Sequence, residues 1–338
     1  MRITNNVSAK AYNTFGIDAT IPTLIEINQF SDLLHLGDRI TNKPIRILGG
    51  GSNVLLVEES NHPVLHINIK GISVLKEEEE YVLVQFYAGE NWHNAVMWAL
   101  ENNYGGIENL SLIPGRCGAA PMQNIGAYGV EIKDVLHTVS VYDLKTQKEL
   151  TFHNEECGFG YRTSHFKTKW KNRFVITDIV LRLTKDGFHK TNISYGMIKG
   201  ELEKKAIASP TIQQIGEVVT SIRRSKLPDP KVIGNAGSFF KNPVIPEAQA
   251  DKLKDTYSDM PVYPAGEGLS KLPAGWLIDQ CGWKGKVVGQ TGTYKNQALV
   301  LVNHGQATGK EILAVSKEIA LSVSDKFGID LETEVNIW

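Results

Sequence analysis

The sequence predicts an α+β fold spread over more than one domain, and three observations carry that prediction. At 338 residues the chain exceeds one ordinary domain. Short β-patterned runs dominate residues 23–183, and two segments with apolar residues at helical spacing, 212–222 and 312–323, follow them. A hydrophobic content of 42% supplies an ample core.

The first region, residues 1–70, reads as a small α/β unit. Thr23-Leu-Ile-Glu-Ile is a strand, and Ser31-Asp-Leu-Leu-His-Leu is a capped helical turn. Ile45-Arg-Ile-Leu runs into Gly49-Gly-Gly-Ser-Asn, then Val54-Leu-Leu-Val and Val64-Leu-His-Ile-Asn-Ile resume strand character. The second region, 71–225, is strand-rich. The acidic run Glu77 to Glu80 is a solvated turn before the strand at Tyr81, and a helix over 91–101 carries Trp92, Val96 and Ala99 on one face. Apolar runs follow at 135–142 and 174–183, the second alternating as a half-buried strand does. Thr211-Ile-Gln-Gln is a capping box opening a helix, which Leu227-Pro-Asp-Pro ends because proline cannot continue the ladder. In the third region, 226–328, a helix over 310–326 shows the stripe Ile312, Val315, Ile319, Val323 and stops at Gly328.

The net charge of -1 argues against a nucleic-acid surface, which needs a basic excess. No run approaches the roughly 18 apolar residues of a membrane span, and the start shows no apolar signal core, so the cytoplasm is the expected compartment. Cys117, Cys157 and Cys281 fit neither a disulfide framework nor a metal knuckle. With nine scattered histidines, of which His66 and His93 read as packed or surface residues, no metal is expected.

Three segments carry chemistry. Gly49-Gly50-Gly51-Ser52-Asn53 lies between strands and exposes successive backbone N–H groups, as a pyrophosphate nest or a plain hairpin turn would. It lacks the dinucleotide fingerprint, since position 54 is Val54. The stretch from Ile113 to Gly129 holds glycines and prolines with almost no charge; it is either an irregular buried connection or a loop round a flat ligand that Gln123 and Asn124 recognise. In Gly234-Asn-Ala-Gly-Ser-Phe-Phe-Lys-Asn-Pro243, Ser238 follows two glycines and precedes two aromatics, a cation and an amide. A hydroxyl bonded to its own backbone and a solvent-excluded reactive one both fit. Further candidates are Arg162, which sits among aromatics in Phe159-Gly-Tyr-Arg, and the basic cluster Arg223, Arg224, Lys226. From Ile329 to Ile337 apolar and polar residues alternate, which puts Glu332 and Glu334 on one strand face.

Taken together, and in this order, six motifs resemble the UDP-N-acetylenolpyruvoylglucosamine reductase family: Gly49 to Asn53, Gln123-Asn-Ile-Gly-Ala-Tyr-Gly129, Phe159 to Arg162, Lys226-Leu-Pro-Asp-Pro230, Gly234 to Pro243 and Leu331-Glu-Thr-Glu334. Ser194-Tyr195-Gly196 resembles the tyrosine loop of the family's longer type. The resemblance implies a three-domain FAD-binding enzyme of the vanillyl-alcohol-oxidase-type (PCMH-like) superfamily with a C-terminal substrate-binding α+β domain, its last strand, 329–338, returning to the second region. It implies non-covalent FAD held by Gly49, Gly50, Gly51, Ser52, Asn53, Pro114, Gly115, Gln123, Asn124, Gly126, Ala127, Tyr128 and Arg223, with NADPH as co-substrate. It implies Ser238, Arg162 and Glu334 as catalytic residues, Ser238 giving a proton to C2 after hydride reaches C3 of the enolpyruvyl group. Tyr195, Lys226, Asn242 and Gln297 would contact the UDP-sugar or place NADPH. The expected partners are these small molecules, with no nucleic acid and no membrane, the chain working as a monomer. Ala119-Ala120 departs from the family's small hydroxylated residues, which leaves the flavin phosphates without side-chain bonds there. Two rivals are another member of the wider vanillyl-alcohol-oxidase-type superfamily acting on a different substrate, where flavin is often bound covalently through His or Cys and Cys117 lies in the corresponding loop but the 226–243 segment argues against it, and a sugar-nucleotide-binding protein without turnover.

Overall fold

The computed structural model describes residues 1–36, 44–58 and 61–338, and in it the chain divides into two units that do not follow sequence order. The first comprises Met1–Val7, Ile21–Gly51 and Asn61–Arg223; the second comprises Ser8–Thr20, Ser52–Ser60 and Arg224–Trp338. The first two expected regions thus share one unit, except for two short segments of the first region that go with the third. The observed α+β content agrees with the sequence reading.

In the first unit one sheet has the order Arg2–Ser8, Thr20–Ile27, Val64–Ile67, Arg46–Leu48. The last three strands pair in parallel, Leu24 opposite Val64 and Leu48 opposite His66. The strand Arg2–Ser8 has no counterpart in the sequence reading, because its polar residues lack an apolar alternation. A second, antiparallel sheet has the order Lys148–His153, Leu136–Asp143, Phe174–Thr184, Tyr81–Tyr87, Ile72–Glu77. The acidic run closes the hairpin between the last two strands, Glu78 N–H donating to the Tyr81 carbonyl.

Phe174–Thr184 is not half-buried, as its alternation suggested; its residues from Phe174 to Leu181 are all buried. It is the central strand and both of its faces are covered. Ile176 and Ile179 pack with Trp92, Val96 and Phe86, while Val175 packs with Tyr142, Ile25 and Leu65. The helix Trp92–Glu101 lies on the first of these faces, capped by the Asn91 side chain on Asn94 N. The helix Ile212–Lys226 opens with the expected reciprocal box, Gln214 N to Thr211 Oγ1 at 3.2 Å and Thr211 N to Gln214 Oε1 at 2.9 Å.

In the second unit the sheet Gly234–Ser238, Gln297–Asn303, Thr291–Tyr294, Val287–Val288 is antiparallel. The helix Gly309–Phe327 packs its predicted stripe into a core with Phe15, Phe239, Leu277 and Leu301, and ends on Gly328 at φ 65°. The final segment corrects two expectations. It is not a continuous strand: Thr333 bridges Phe240, and only Asn336–Ile337 pairs, in parallel, with Val54–Leu55. Nor does it join the sheet of residues 71–225. Ile329 and Val335 are anchored in the core of the second unit, which fixes the segment there. Among the described residues no helix is long and apolar enough to cross a membrane.

Candidate active site

In the first unit the Gly49–Gly51 turn leaves the C-terminal end of Arg46–Leu48, where parallel strands leave a crevice that suits ligands. Gly51 takes φ 63°, a left-handed conformation that favours glycine. A Cβ on Gly50 would lie 3.2 Å from the Gly115 Cα, so the turn and the 113–129 loop approach as closely as main chain allows. That loop is fastened along residues 88–92: Trp92 N donates to the Gly115 carbonyl (3.1 Å), Cys117 N to Glu90 (2.9 Å) and Gly118 N to Ala88 (3.0 Å). A Cβ on Gly118 would stand 2.5 Å from the Ala88 Cβ, a contact no packing tolerates. The two glycine-rich segments bring main chain together at Gly50 and Gly115 with little side-chain bulk, and this fits FAD, whose pyrophosphate needs backbone donors at close range.

The polar residues of the loop are turned to the protein. Asn124, fully buried at φ 49°, donates to Glu131 Oε2 (2.8 Å) and the Gly160 carbonyl (3.1 Å) and accepts from Lys133 N (3.2 Å). Its amide is spent on scaffolding, so what it offers a cofactor is loop shape. Gln123 accepts from Lys167 Nζ at 3.2 Å. Pro114 and Ala127 carry no side-chain donor and shape the loop through the backbone alone. Tyr128 turns the hairpin between Gly126–Ala127 and Val130–Glu131 at φ 50°. Its ring meets Tyr195 edge-on at 5.4 Å, and its hydroxyl pairs with Arg223, whose Nε reaches the Leu112 carbonyl at 3.3 Å. Burial raises the Tyr128 phenol and lowers the Arg223 guanidinium, and their mutual bond opposes both trends. Arg162 stands at φ 54°, strained for a non-glycine residue, with Nη2 donating to the Gly126 carbonyl at 2.7 Å. Tyr195 precedes the helix Gly196–Lys204 and is 45% exposed, as a residue that meets an incoming ligand would be.

Sequence reasoning missed Asn109. Fully buried, it donates from Nδ2 to the Tyr128 carbonyl (2.9 Å) and the Asn192 carbonyl (2.8 Å), tying the flavin loop to the segment that carries Tyr195. A buried amide amid Ile107, Leu110 and Leu112 was the available signal. His93 is packed as expected, accepting from Leu112 N at 3.0 Å. Cys117 is fully buried in the core with Trp92 and Ala120, and burial pushes its thiol far up, which disfavours the covalent-flavin alternative.

In the second unit Ser238 ends the strand Gly234–Ser238 just after a bulge: Asn235 opposes Val302 while Ser238 opposes Val300. Gly237 takes φ 71° there, held by a bond from its N–H to Asn235 Oδ1 at 3.0 Å. Asn235 in turn donates to the Pro228 and Ile233 carbonyls, and its N–H reaches Thr14, so the Tyr12–Gly16 segment braces this strand. Among the described residues the half-buried Ser238 hydroxyl has no hydrogen-bond partner. Beyond it, Glu334 N donates to the Phe239 carbonyl (2.8 Å) and Lys241 N to Glu332 (2.9 Å). This ladder holds Glu334 beside the strand that carries Ser238. Asn53 joins it, with Nδ2 on the Glu334 carbonyl at 3.3 Å and its own carbonyl accepting from Asn336. Ser52 and Asn53 thus belong to the second unit, while Gly49, Gly50 and Gly51 belong to the first. Lys241 is paired with Glu332, Asn242 accepts from Ala274 N (3.0 Å) at the start of a helix, and Gln297 accepts from Leu299 N (3.3 Å). Lys226 is exposed at a helix end.

The FAD binding domain family matches residues 31–148, and the C-terminal domain family of UDP-N-acetylenolpyruvoylglucosamine reductase matches residues 229–338. The chain is 48% identical to the UDP-N-acetylenolpyruvoylglucosamine reductase of Flavobacterium johnsoniae over 337 residues, covering 100% of both chains. It is 44% identical to that of Pseudomonas aeruginosa, covering 100% of this chain and 99% of the relative. The crystal structure of UDP-N-acetylenolpyruvylglucosamine reductase from Thermus caldophilus superposes with a TM-score of 0.71 at 26% identity, covering 100% of this chain and 99% of that one.

Proposed function

The chain belongs to the UDP-N-acetylenolpyruvoylglucosamine reductase family of FAD-dependent oxidoreductases in peptidoglycan synthesis, and from that premise we propose how its own residues carry the reaction. The substrate is the enolpyruvyl ether of UDP-N-acetylglucosamine, the product is UDP-N-acetylmuramate, and the reductant is NADPH. FAD, which the Gly49–Asn53 turn and the 113–129 loop would hold, would supply the hydride for the enolpyruvyl C3, with NADPH as the source of reducing equivalents. Ser238 then delivers a proton to C2. Arg162, by a bidentate fork, and Glu334, as a carboxylic acid that donates its proton in a hydrogen bond, stabilise the negative charge that builds on the substrate carboxylate side between these two events. Tyr195, Lys226, Asn242 and Gln297 hold the UDP-sugar or the nicotinamide nucleotide, and the reaction proceeds in the cytoplasm.

The observation that supports this reading best is the Ser238 hydroxyl, half-buried on a bulged strand and committed to no acceptor among the described residues. A serine hydroxyl is a weak acid, so it serves only a strongly basic carbon such as the C2 of an enolate. Arg162 supports it from the other unit: a left-handed φ at a non-glycine residue is the kind of strain that persists at functional sites. The test is an anaerobic absorbance titration of the purified protein. Flavin bands that bleach with one equivalent of NADPH and return on adding the enolpyruvyl sugar nucleotide support the reading. Bands that return only with oxygen would overturn it in favour of an oxidase, and a colourless protein that takes up no FAD would remove the cofactor assignment itself.

A further inference from the structure

The loop that carries Ala119 and Ala120, which have no hydroxyl to offer, also carries Arg116, a charge the function described so far leaves unused. Its backbone is locked. Arg116 forms an antiparallel bridge with Asn91, flanked by the bonds from Trp92 to Gly115 and from Cys117 to Glu90. From there the half-buried side chain runs along the glycine turn: a Cβ at Gly49 would lie 3.8 Å from the Arg116 Cβ and 4.0 Å from its Cδ, and one at Gly50 would lie 3.6 Å from its Cγ. The guanidinium then donates from Nη1 to the Ile67 carbonyl, at the C-terminal end of the strand Val64–Ile67. Nε and Nη2 make no hydrogen bond to another described residue. A planar fork held at one corner, with donors to spare, beside a nest of backbone N–H groups is a site for a phosphate.

The charge balance of this corner points the same way. Lys70 and Arg116 face one acid, Glu90, which is turned to Lys70 at 3.8 Å and to the Gly71 N–H at 2.8 Å. His66 adds no charge, since burial first and the Arg116 guanidinium second hold it neutral near pH 7. Among the described residues these two cations against one carboxylate leave an unmatched positive charge, half-buried, alongside Gly49 and Gly50. A buried cation without a counterion is costly, and an anion bound there removes the cost.

We propose that Arg116 is the countercharge of the FAD diphosphate, its guanidinium aimed by the Ile67 carbonyl and its stem laid along Gly49 and Gly50. This rests on the FAD assignment and adds to it a side-chain ligand in a loop where Ala119 and Ala120 offer none. Because Ile67 holds only one of its nitrogens, the fork keeps two more to place on phosphate oxygens.

The experiment is flavin titration into the full-length, flavin-free protein, read by quenching of flavin fluorescence without sugar nucleotide, so that no substrate diphosphate competes. Charge-assisted bonds of this kind make Arg116→Gln weaken FAD binding by roughly 10- to 100-fold. Riboflavin, which has no phosphate, should bind the variant within about twofold of the unaltered protein, and the salt dependence of FAD binding should flatten. Equal loss of FAD and riboflavin would mean that Arg116 only scaffolds the loop, and unchanged FAD binding would remove its role altogether; either result overturns the proposal. Arg116→Lys keeps the charge without the fork and decides the matter if the Gln variant does not fold. FAD affinity within about tenfold supports the countercharge, and a larger loss overturns it. Failure of the unaltered protein to bind FAD would strike the cofactor assignment instead.

Discussion

The two units present ligands with different parts of the chain. In the first, buried polar side chains around the 113–129 loop are spent on the protein itself: Asn124 on Glu131, Gly160 and Lys133, and Asn109 on Tyr128 and Asn192. The main chain at Gly49 and Gly50 has no side chain of its own, and the Arg116 side chain lies along it. In the second, the main chain around Ser238 is paired, Phe239 with Glu334 and Leu299, Lys241 with Glu332, and among the described residues the Ser238 hydroxyl has no partner. A mould of fixed backbone donors suits a cofactor that stays, since no rotamer entropy is lost on binding. A poised side chain suits a substrate that comes and goes and a proton that must move.

That contrast can be broken at several points. The largest effect belongs to Ser238→Ala. Flavin reduction by NADPH should proceed at an unchanged rate in stopped flow, while product formation in the second half-reaction slows by about 10²- to 10⁴-fold. Equal slowing of both halves would make Ser238 a structural residue. Next comes Gly118→Ala, where the new methyl must displace Ala88 and loosen the bond from Gly118 N. A cost of about 1–3 kcal/mol and loss of FAD retention are expected, read by thermal melting with and without flavin. A comparable FAD affinity would show that the cradle is not rigid.

Asn109→Asp turns a donor into a carboxylate facing two carbonyls, a penalty of about 2 kcal/mol. Because the bond it breaks ties the Tyr195 segment, KM for the sugar nucleotide should rise about tenfold, with NADPH oxidation by the flavin unaffected. The next effect is a pH dependence. His66 is held down at about 4, by burial first and Arg116 next, against its ordinary value of 6.5. The unfolded chain therefore binds the proton first, so stability present above pH 6.5 is lost as pH falls towards 4, by no more than about 3 kcal/mol. Urea melts at pH 7 and pH 4.5, compared with those of His66→Gln, isolate this contribution. Asp143 continues the trend lower down. Burial alone would raise it, but bonds from Arg173, Lys145 N and Thr146 hold it at about 2, so its support fades only between about pH 4 and 2. The smallest effect is Lys241→Met. Its partner Glu332 has a side chain 72% exposed, so breaking the pair should cost under about 1 kcal/mol in the same melts.

Local chemistry was the legible part of the sequence. The Thr211 capping box, the stripe from Ile312 to Val323 and the Gly328 stop depend on residues three to four apart, and each stands where periodicity put it. The candidate site was legible as motifs, because glycine leaves a visible gap in any pattern. The rest depended on distant partners. The alternation in 174–183 suggested one wet face, and only the sheet order shows that Tyr142 and Ile25 cover it. The alternation in 329–337 suggested a strand, yet Ile337 is exposed and the segment pairs through one isolated bridge with Phe240 and a two-residue parallel pairing with Val54–Leu55. That residues 8–20 and 52–60 go with the third region follows from contacts such as the Asn303 side chain on the Phe15 carbonyl, which no window of sequence contains.

The bulge before Ser238 has a consequence for mutational history. Three steps along one strand, from Asn235 to Ser238, match two on the other, from Val302 to Val300, so the facing of Ser238 is set by a residue count as well as by residue identity. Point substitutions leave that count alone, whatever they do to packing. Removing one codon from the stretch between them would restore regular pairing and abolish the bulge that aims the hydroxyl, with the chemistry of every remaining amino acid intact. Laboratory libraries built from substitutions never visit that state, whereas replication slippage reaches it in a single in-frame event.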